Sequence, residues 1–429
     1  MIAGVRRFAA GDFARHGALV FVATMFVNVL GYAFHFAISR KVGVVQYGVL
    51  AALNALYMVS MVGTQIASTV VIKYAAEFRV TGDEAHLAAL ARRLSLYGLA
   101  AGIIAIGIGA ACAPAIAAYL NIQSVAAVTL SVVVMGITIV TPTLRAVFAG
   151  IEDFRTYSIS AVMESTLKAV LGIGAVYAGY GVVGAFGGWA AGCVITLAYT
   201  MTVLLARFRN APRAVLFIDF RRLVGTMTGV TASTVLLTAI TYADVIIVKH
   251  YANPTTAGLY GALSLSGKIL LFFVAFVPLV LLPKTSRRAV GGSSALGPLI
   301  GAVGVVLVLS GAGLVAYYAF PTFIITTLAG PSFAPAAPFV FTYGIAMVLL
   351  AALNTVIAYK IGIHRFDFVW PLSVCAAAEL GGIAFYHTSL AQIIEILVAG
   401  NAVALATSLY RINAPLRSVA PAQRSDAAA

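Results

Sequence analysis

Charge is scarce in this 429-residue sequence: 9% of residues are Asp, Glu, Lys or Arg, 62% are apolar, and mean hydropathy is +1.02. So little charge cannot give a chain of this length a polar skin, which excludes a water-soluble globular class. Acidic residues are scarcest, 13 against 27 Lys and Arg, leaving a net charge of +14. That excess forms no single patch but is spread between apolar runs, so it excludes nucleic acid as the partner and reads as a topology signal. Cysteine is limited to Cys112, Cys193 and Cys375. Each stands alone in an apolar run without metal-ligand spacing, which makes them small core residues. There is no phosphate-cradling glycine loop followed by Lys-Ser/Thr and no metal-ligand cluster. No soluble segment is large enough for a nucleotide site. GAFGGW from Gly184 reads as a small-residue helix-packing pattern. These absences give no support for chemistry, and neither an enzyme nor a resident cofactor is expected. The remaining energy sources are an H+ or Na+ gradient, the membrane potential or the substrate gradient.

Long apolar runs are what the sequence does have. Twelve are expected to span a bilayer as helices: 17–38, 48–72, 94–119, 123–144, 157–179, 181–206, 223–247, 257–283, 297–319, 334–358, 368–387 and 389–410. Each approaches or exceeds the ~20 residues needed to cross a hydrocarbon core, and a lipid-exposed backbone must satisfy its hydrogen bonds internally. The first run is too long for a signal-peptide core and lacks a cleavage site, so it is expected to be a retained helix. The expected class is all-α, a polytopic membrane protein.

Basic residues set the expected topology. Arg6, Arg7, Arg15, Lys73, Arg79, Arg92, Arg93, Arg145, Arg155, the five arginines of 207–222, Lys284, Arg287, Arg288, Lys360, Arg365, Arg411, Arg417 and Arg424 fall on one side. Only Arg40, Lys41 and Lys249 fall on the other. Both termini are therefore expected in the cytoplasm. The basic linker 207–222 divides the spans six and six, giving an N-terminal bundle over 1–206, a C-terminal bundle over 223–410 and a disordered cytoplasmic tail over 411–429. An even number of spans per half predicts a parallel repeat. SRKVGVVQYGVLAAL from Ser39 aligns without gaps on KHYANPTTAGLYGAL from Lys249, and GIEDFR from Gly150 aligns on GIHRFD from Gly362. The offsets, 210 and 212, agree on one register.

At these residues the sequence resembles the polysaccharide-transporter branch, the Wzx-type flippases, of the multidrug/oligosaccharidyl-lipid/polysaccharide flippase (MOP) superfamily. The resemblance rests on Gly43 and Tyr47-Gly48 after the first span and on GTQIASTVVIKYAAEF at the end of the second. RAVFAGIEDFRTYSI after the fourth and ADVIIVKHYANPTTAGLYGAL across the seventh and eighth also carry it. Lys73 stands where such proteins often carry arginine, which keeps the charge and loses the bidentate fork. The resemblance implies two pseudo-symmetric six-helix bundles forming a V around a central cavity, working by alternating access. Some relatives have fourteen helices, so twelve points away from the peptidoglycan-precursor branch.

Ionisable residues inside spans cost about 2.5–3.5 kcal/mol at mid-bilayer and so face a partner or a wet cavity. Lys268 lies roughly 16 Å into its span and has no acid at i±3 or i±4, so its partner comes from another helix or a ligand. Lys168 lies at comparable depth with Glu164 one turn before it, the favourable order for a local ion pair. One reading makes the two a self-neutralising pair; the other puts both on a cavity wall. Asp244, five residues from the end of its span, is a coupling-ion candidate, a partner of Lys249 or a cap. His35 is a proton-site candidate or a hydrogen bond to a neighbouring helix. Arg145, Lys73 and Lys284 sit at span ends, as anionic head-group ligands or as snorkelling anchors. Pro142 and Pro278 are candidate kinks that turn Arg145 inward and bend the span above Lys284. Glu379 and Glu395 read first as polar contacts between helices or as a partner-facing surface.

Three functions fit. The first is a flippase moving a polyprenyl-pyrophosphate-linked oligosaccharide across the bacterial inner membrane, with membrane lipids and possible polymerase and glycosyltransferase partners. The second is a cation-coupled exporter of small amphipathic molecules, working through Asp244 and Glu164. The third is a non-transporting scaffold for glycan synthesis.

Overall fold

The computed structural model describes residues 2–212, 214, 220–290, 296–410 and 412, with side chains from residue 19 onward except those of 220–227 and 289–290. Arg6, Arg7, Arg15, Arg213, Arg221, Arg222, Arg411, Arg417 and Arg424 lie outside the described side chains, as does all of the expected tail but Ile412. Among the described residues the regular structure is helix throughout. The helices are α1 Ile2–Val80, α2 Glu84–Tyr119, α3 Val125–Gly150, α4 Phe154–Ala175, α5 Gly181–Arg207, α6 Phe220–Tyr251 and α7 Pro254–Phe273. They continue with α8 Phe276–Val290, α9 Leu296–Ala319, α10 Pro321–Leu328, α11 Val340–Gly362, α12 Val369–Phe385 and α13 Leu390–Leu409.

Nine segments of the described residues are long and apolar enough to cross a membrane. The chain is thus a polytopic all-α membrane protein. Nine differs from the twelve expected spans for identifiable reasons. Leu19–Val80 and Phe154–Arg207 each hold two of the expected spans, and Val369–Phe385 falls short of the length of a full crossing. Where a loop was expected after the first span, α1 runs on through one break at Gly43, whose φ of 74° only glycine adopts at no steric cost. Between α4 and α5 the break is a five-residue π-turn, Val176–Tyr180, with Gly179 and Gly181 at positive φ.

Proline sets two further boundaries. The expected span 257–283 is divided into α7 and α8 at Val274–Ala275. Pro278 cannot donate to Val274, four residues back, and its ring clashes with that carbonyl. Val277 N–H bonds Val274 instead, at 2.9 Å. Pro335 and Pro338 hold Pro331–Phe339 in a 3-10 helix and delay α11 to Val340. By contrast α3 runs unbroken through Pro142.

Side-chain caps start five helices; Asn253 accepts from Thr256 N–H at 2.8 Å before α7. Asp83, Ser124, Asp153 and Ser389 accept from His86, Ala127, Thr156 and Gln392 N–H at 3.0, 3.3, 3.1 and 3.3 Å, satisfying donors that a helix start leaves orphaned. Arg92 covers the other end of α5, donating to the Phe208 and Ala211 carbonyls at 3.0 and 3.1 Å.

The chain divides into two compact units. The first comprises 1–226, 245–262 and 326–334. One of its cores packs Val71, Leu87, Leu90, Leu144, Phe148 and Leu204 from α1, α2, α3 and α5. In the same unit α2 and α3 close on each other through glycine, because a Cβ on Gly102 would lie 2.8 Å from the Gly136 carbonyl. The second unit comprises 227–244, 263–325 and 335–429, with a core of Leu281, Leu299, Val356, Tyr359 and Ile363.

The duplicated junctions fold alike. After α3, Glu152 is left-handed (φ 59°); after α11, so is His364 (φ 54°), at the same offset of 212. Asp153 N–H bonds the Phe148 carbonyl, and Arg365 N–H bonds that of Lys360, both at 2.8 Å. Gly150 presses on Ile72 and Ala75 of α1, while Gly362 presses on Leu282 and Thr285 of α8, again residues 210 apart. The first pair of junctions meets within the first unit. A Cβ on Gly48 would lie 2.9 Å from Gly258 N, one on Gly258 would overlap the Val44 carbonyl, and one on Gly261 would lie 2.7 Å from the Ala51 Cβ. Gly48 and Gly258, like Ala51 and Gly261, are aligned positions of the repeat.

Candidate functional sites

In the first unit, the end of α3 carries Arg145 toward α4. Its guanidinium pairs with Glu164 and donates through Nε to Ser160 Oγ at 3.2 Å; Ser160 in turn bonds Thr200 of α5 at 2.7 Å. Both charged side chains are largely buried, 12% and 16% exposed. Glu164 is therefore bound to a different helix, and the self-neutralising Glu164–Lys168 pair is not the contact made. Lys168 instead places its ammonium 3.6 Å from the centre of the Trp189 ring of α5 and 4.7 Å from that of Phe34 of α1. Tyr57 packs edgewise on the same indole, ring centres 4.7 Å apart. Aromatic faces attract a cation through their quadrupole without neutralising it, for about 0.5–2 kcal/mol.

Of the other candidates in this unit, His35 borders that cluster, packing edgewise on Phe34 with ring centres 5.6 Å apart. His35 Nδ1 lies 3.3 Å from the Tyr47 hydroxyl, and Tyr47 packs edgewise on Phe333. Lys73 is exposed on α1. Lys249, buried near the end of α6, donates to the Asn121 carbonyl at 3.3 Å, while His250 stacks flat on Tyr119 at 4.0 Å.

In the second unit, Lys268 of α7 is buried, donates to Ser264 Oγ at 2.7 Å and lies 4.5 Å over the Tyr242 ring of α6. Asp244 of α6 is 1% exposed, and the Tyr343 hydroxyl of α11 approaches its carboxylate at 3.5 Å. Its charge acts on both Lys268 and Glu379. Glu379 of α12 is 3% exposed and packs so closely on Gly400 that a Cβ there would overlap its carboxylate. Next to Gly400 on α13, Asn401 is fully buried. Glu379 Oε1 and both side-chain polar atoms of Asn401 make no hydrogen bond among the described residues. Glu395 is exposed, and Lys284 is exposed on α8.

Three contributors thus escape a reading by charge alone. Trp189 lies in a helix-packing motif, Glu379 reads as an interhelical contact, and Asn401 carries no charge. A signal for the last two exists in the small residues beside them, Gly381-Gly382 and Gly400, which let helices approach a buried polar group. No group of three metal-ligating side chains is present among the described residues.

No family model and no curated protein matches the chain. Solved structures do. An inward-facing multidrug resistance MATE family transporter of the MOP superfamily superposes with a TM-score of 0.77 at 12% identity, covering 89% of this chain and 92% of that one. The lipid II flippase MurJ in an inward closed conformation gives 0.65 at 14% identity, covering 92% and 87%. A MOP superfamily transporter from Pyrococcus furiosus, described as having a binding pocket of reversed polarity, gives 0.57 at 14%, covering 92% and 93%. What the chain shares with all three, over nearly its whole length, is the fold of the MOP superfamily transporters.

Proposed function

We propose that the chain is a flippase that carries a polyprenyl-pyrophosphate-linked oligosaccharide across the bacterial inner membrane by alternating access, with both termini cytoplasmic. The bundles 1–206 and 223–410 are its moving parts. The observation that carries this reading is the state of the two span-depth ammonium groups. Lys168 rests on aromatic rings and Lys268 on a hydroxyl and a ring, whereas the nearby carboxylate of Glu164 is taken by Arg145. A cation at that depth costs about 2.5–3.5 kcal/mol; the rings and the hydroxyl return part of it, and the charge of Asp244 acts on Lys268 as well. A pyrophosphate would supply the rest on arrival, one bundle at a time. Lys73 and Arg145 would serve the same anion nearer the span ends.

The test is translocation of a fluorescent lipid-linked oligosaccharide in proteoliposomes, with and without a proton or sodium gradient. Lys168→Ala with Lys268→Ala is expected to abolish it at unchanged protein level, and full translocation by the double variant refutes the anion stations. A second reading, a cation-coupled exporter of small amphipathic molecules, is favoured by the buried carboxylates of Asp244 and Glu379 and the buried Asn401 beside Gly400. It requires gradient-driven efflux that survives Lys168→Ala and is lost in Asp244→Asn.

A further inference from the structure

Between α8 and the N-terminal half of α9, wholly within the second unit, lies a groove of about 820 Å3. That is within the ~300–1,000 Å3 of small-molecule sites. Its length is apolar, walled by Phe276, Val280 and Val305, all exposed. Its floor is made by small residues of α9. Gly301 has open space where a Cβ would be, and a Cβ on Gly297 would meet only the Arg288 guanidinium, at 3.8 Å. Glycines four residues apart usually let two helices close on each other, as Gly102 and Gly136 do between α2 and α3. Here the spacing is present and the closure is not.

The far end of the groove is cationic. Lys284, Arg287 and Arg288 line it at i, i+3 and i+4, on one face of α8, where like charges repel. No acid lines the groove, and the sequence contains none from Val245 through Phe366. Lys284 and Arg287 make no ion pair among the described residues. An apolar trough ending in Lys284 and Arg287, without an ion pair among the described residues, matches one ligand chemistry: an acyl chain joined to a phosphate.

We infer that this groove holds an anionic phospholipid of the bilayer, its phosphate on Lys284 and Arg287 and an acyl chain along Phe276 and Val280. Such basic sites between membrane helices are suited to anionic head groups. The site is separate from the Lys168 and Lys268 stations and does not depend on what the chain transports.

Native mass spectrometry of the delipidated full chain, with phosphatidylglycerol and phosphatidylcholine of matched chains added in equal amounts, tests it. The wild type is expected to retain phosphatidylglycerol about tenfold more than phosphatidylcholine, the scale of one or two basic side chains attracting an anionic head group. Lys284→Gln with Arg287→Gln should bring the two to parity, and Arg287→Gln alone should fall between. Gly301→Leu, which fills the floor and leaves the cations, should lower retention of both lipids. Each variant is compared at wild-type gel-filtration volume. Parity in the wild type, or an unchanged preference in the charge variants, overturns the proposal. So does displacement by sn-glycerol 3-phosphate, which has no chain, or by an equimolar polyprenyl pyrophosphate, which would make the groove a substrate site.

Discussion

Removing one partner of a buried ion pair is costly because it strands the other charge. Glu164→Gln should leave the Arg145 guanidinium with Ser160 alone and destabilise the protein by about 3 kcal/mol. Thermal melts in detergent check this, and Arg145→Met combined with Glu164→Gln should recover much of the loss. Glu379 is the opposite case. Its carboxylate is buried beside the repelling charge of Asp244, so Glu379→Gln should hold or raise the melting temperature while abolishing any ion-gradient dependence of transport. A melt and a gradient assay on one variant separate the two effects. Charge was the legible signal at this scale: Lys268, Lys168 and Asp244 are conspicuous in an apolar sequence, and all three are inside helices. Their partners were not legible. The pairing of Glu164 with Arg145 rather than Lys168 depends on how α3 packs on α4, which spacing along one helix cannot reveal.

Helix boundaries follow local chemistry more closely than hydropathy. Gly43 sits at positive φ, where any other residue pays roughly 1–2 kcal/mol, so Gly43→Ala should lower stability by that amount without changing the apolar pattern. Asp83 offers a pH test. The His86 backbone N–H and side chain hold its carboxyl below the usual range. A carboxyl lowered in the folded state contributes stability that is complete above its unfolded value, about pH 4, and disappears as pH falls through its lowered folded value. Amide protection factors at the start of α2, corrected for intrinsic exchange, should therefore fall only under acid conditions, and Asp83→Ala should be weakly protected at every pH. Hydropathy merged α7 with α8 because their residues are uniformly apolar. The information was in Pro278, whose effect falls four residues upstream, at Val274. Proline alone is not decisive, as α3 continues through Pro142.

At the scale of the molecule, composition identified a polytopic helical protein, and the duplication could be read from two short junctions. The division into units was less visible, because residues 245–262 and 326–334 group with the N-terminal part of the chain. No linear boundary expresses that. Topology remains a strong expectation with a direct test. With Cys112, Cys193 and Cys375 replaced by alanine, a membrane-impermeant maleimide should label Lys41→Cys in intact cells. Arg209→Cys should be labelled only after permeabilisation. Equal labelling of both sites would refute the basic-residue topology.

The contacts of Gly48 with Gly258 and of Ala51 with Gly261 have a historical consequence. Elsewhere the two copies of the ancestral unit are free to drift apart, because each residue answers to different neighbours. At these positions a residue's neighbour is its own duplicate. A Cβ on Gly258 would overlap the Val44 backbone and one on Gly48 the backbone of Gly258, so neither copy has room for a side chain whatever the other carries. Among homologues of this chain, positions 48 and 258 should therefore both remain glycine, long after the rest of the two halves has lost recognisable likeness.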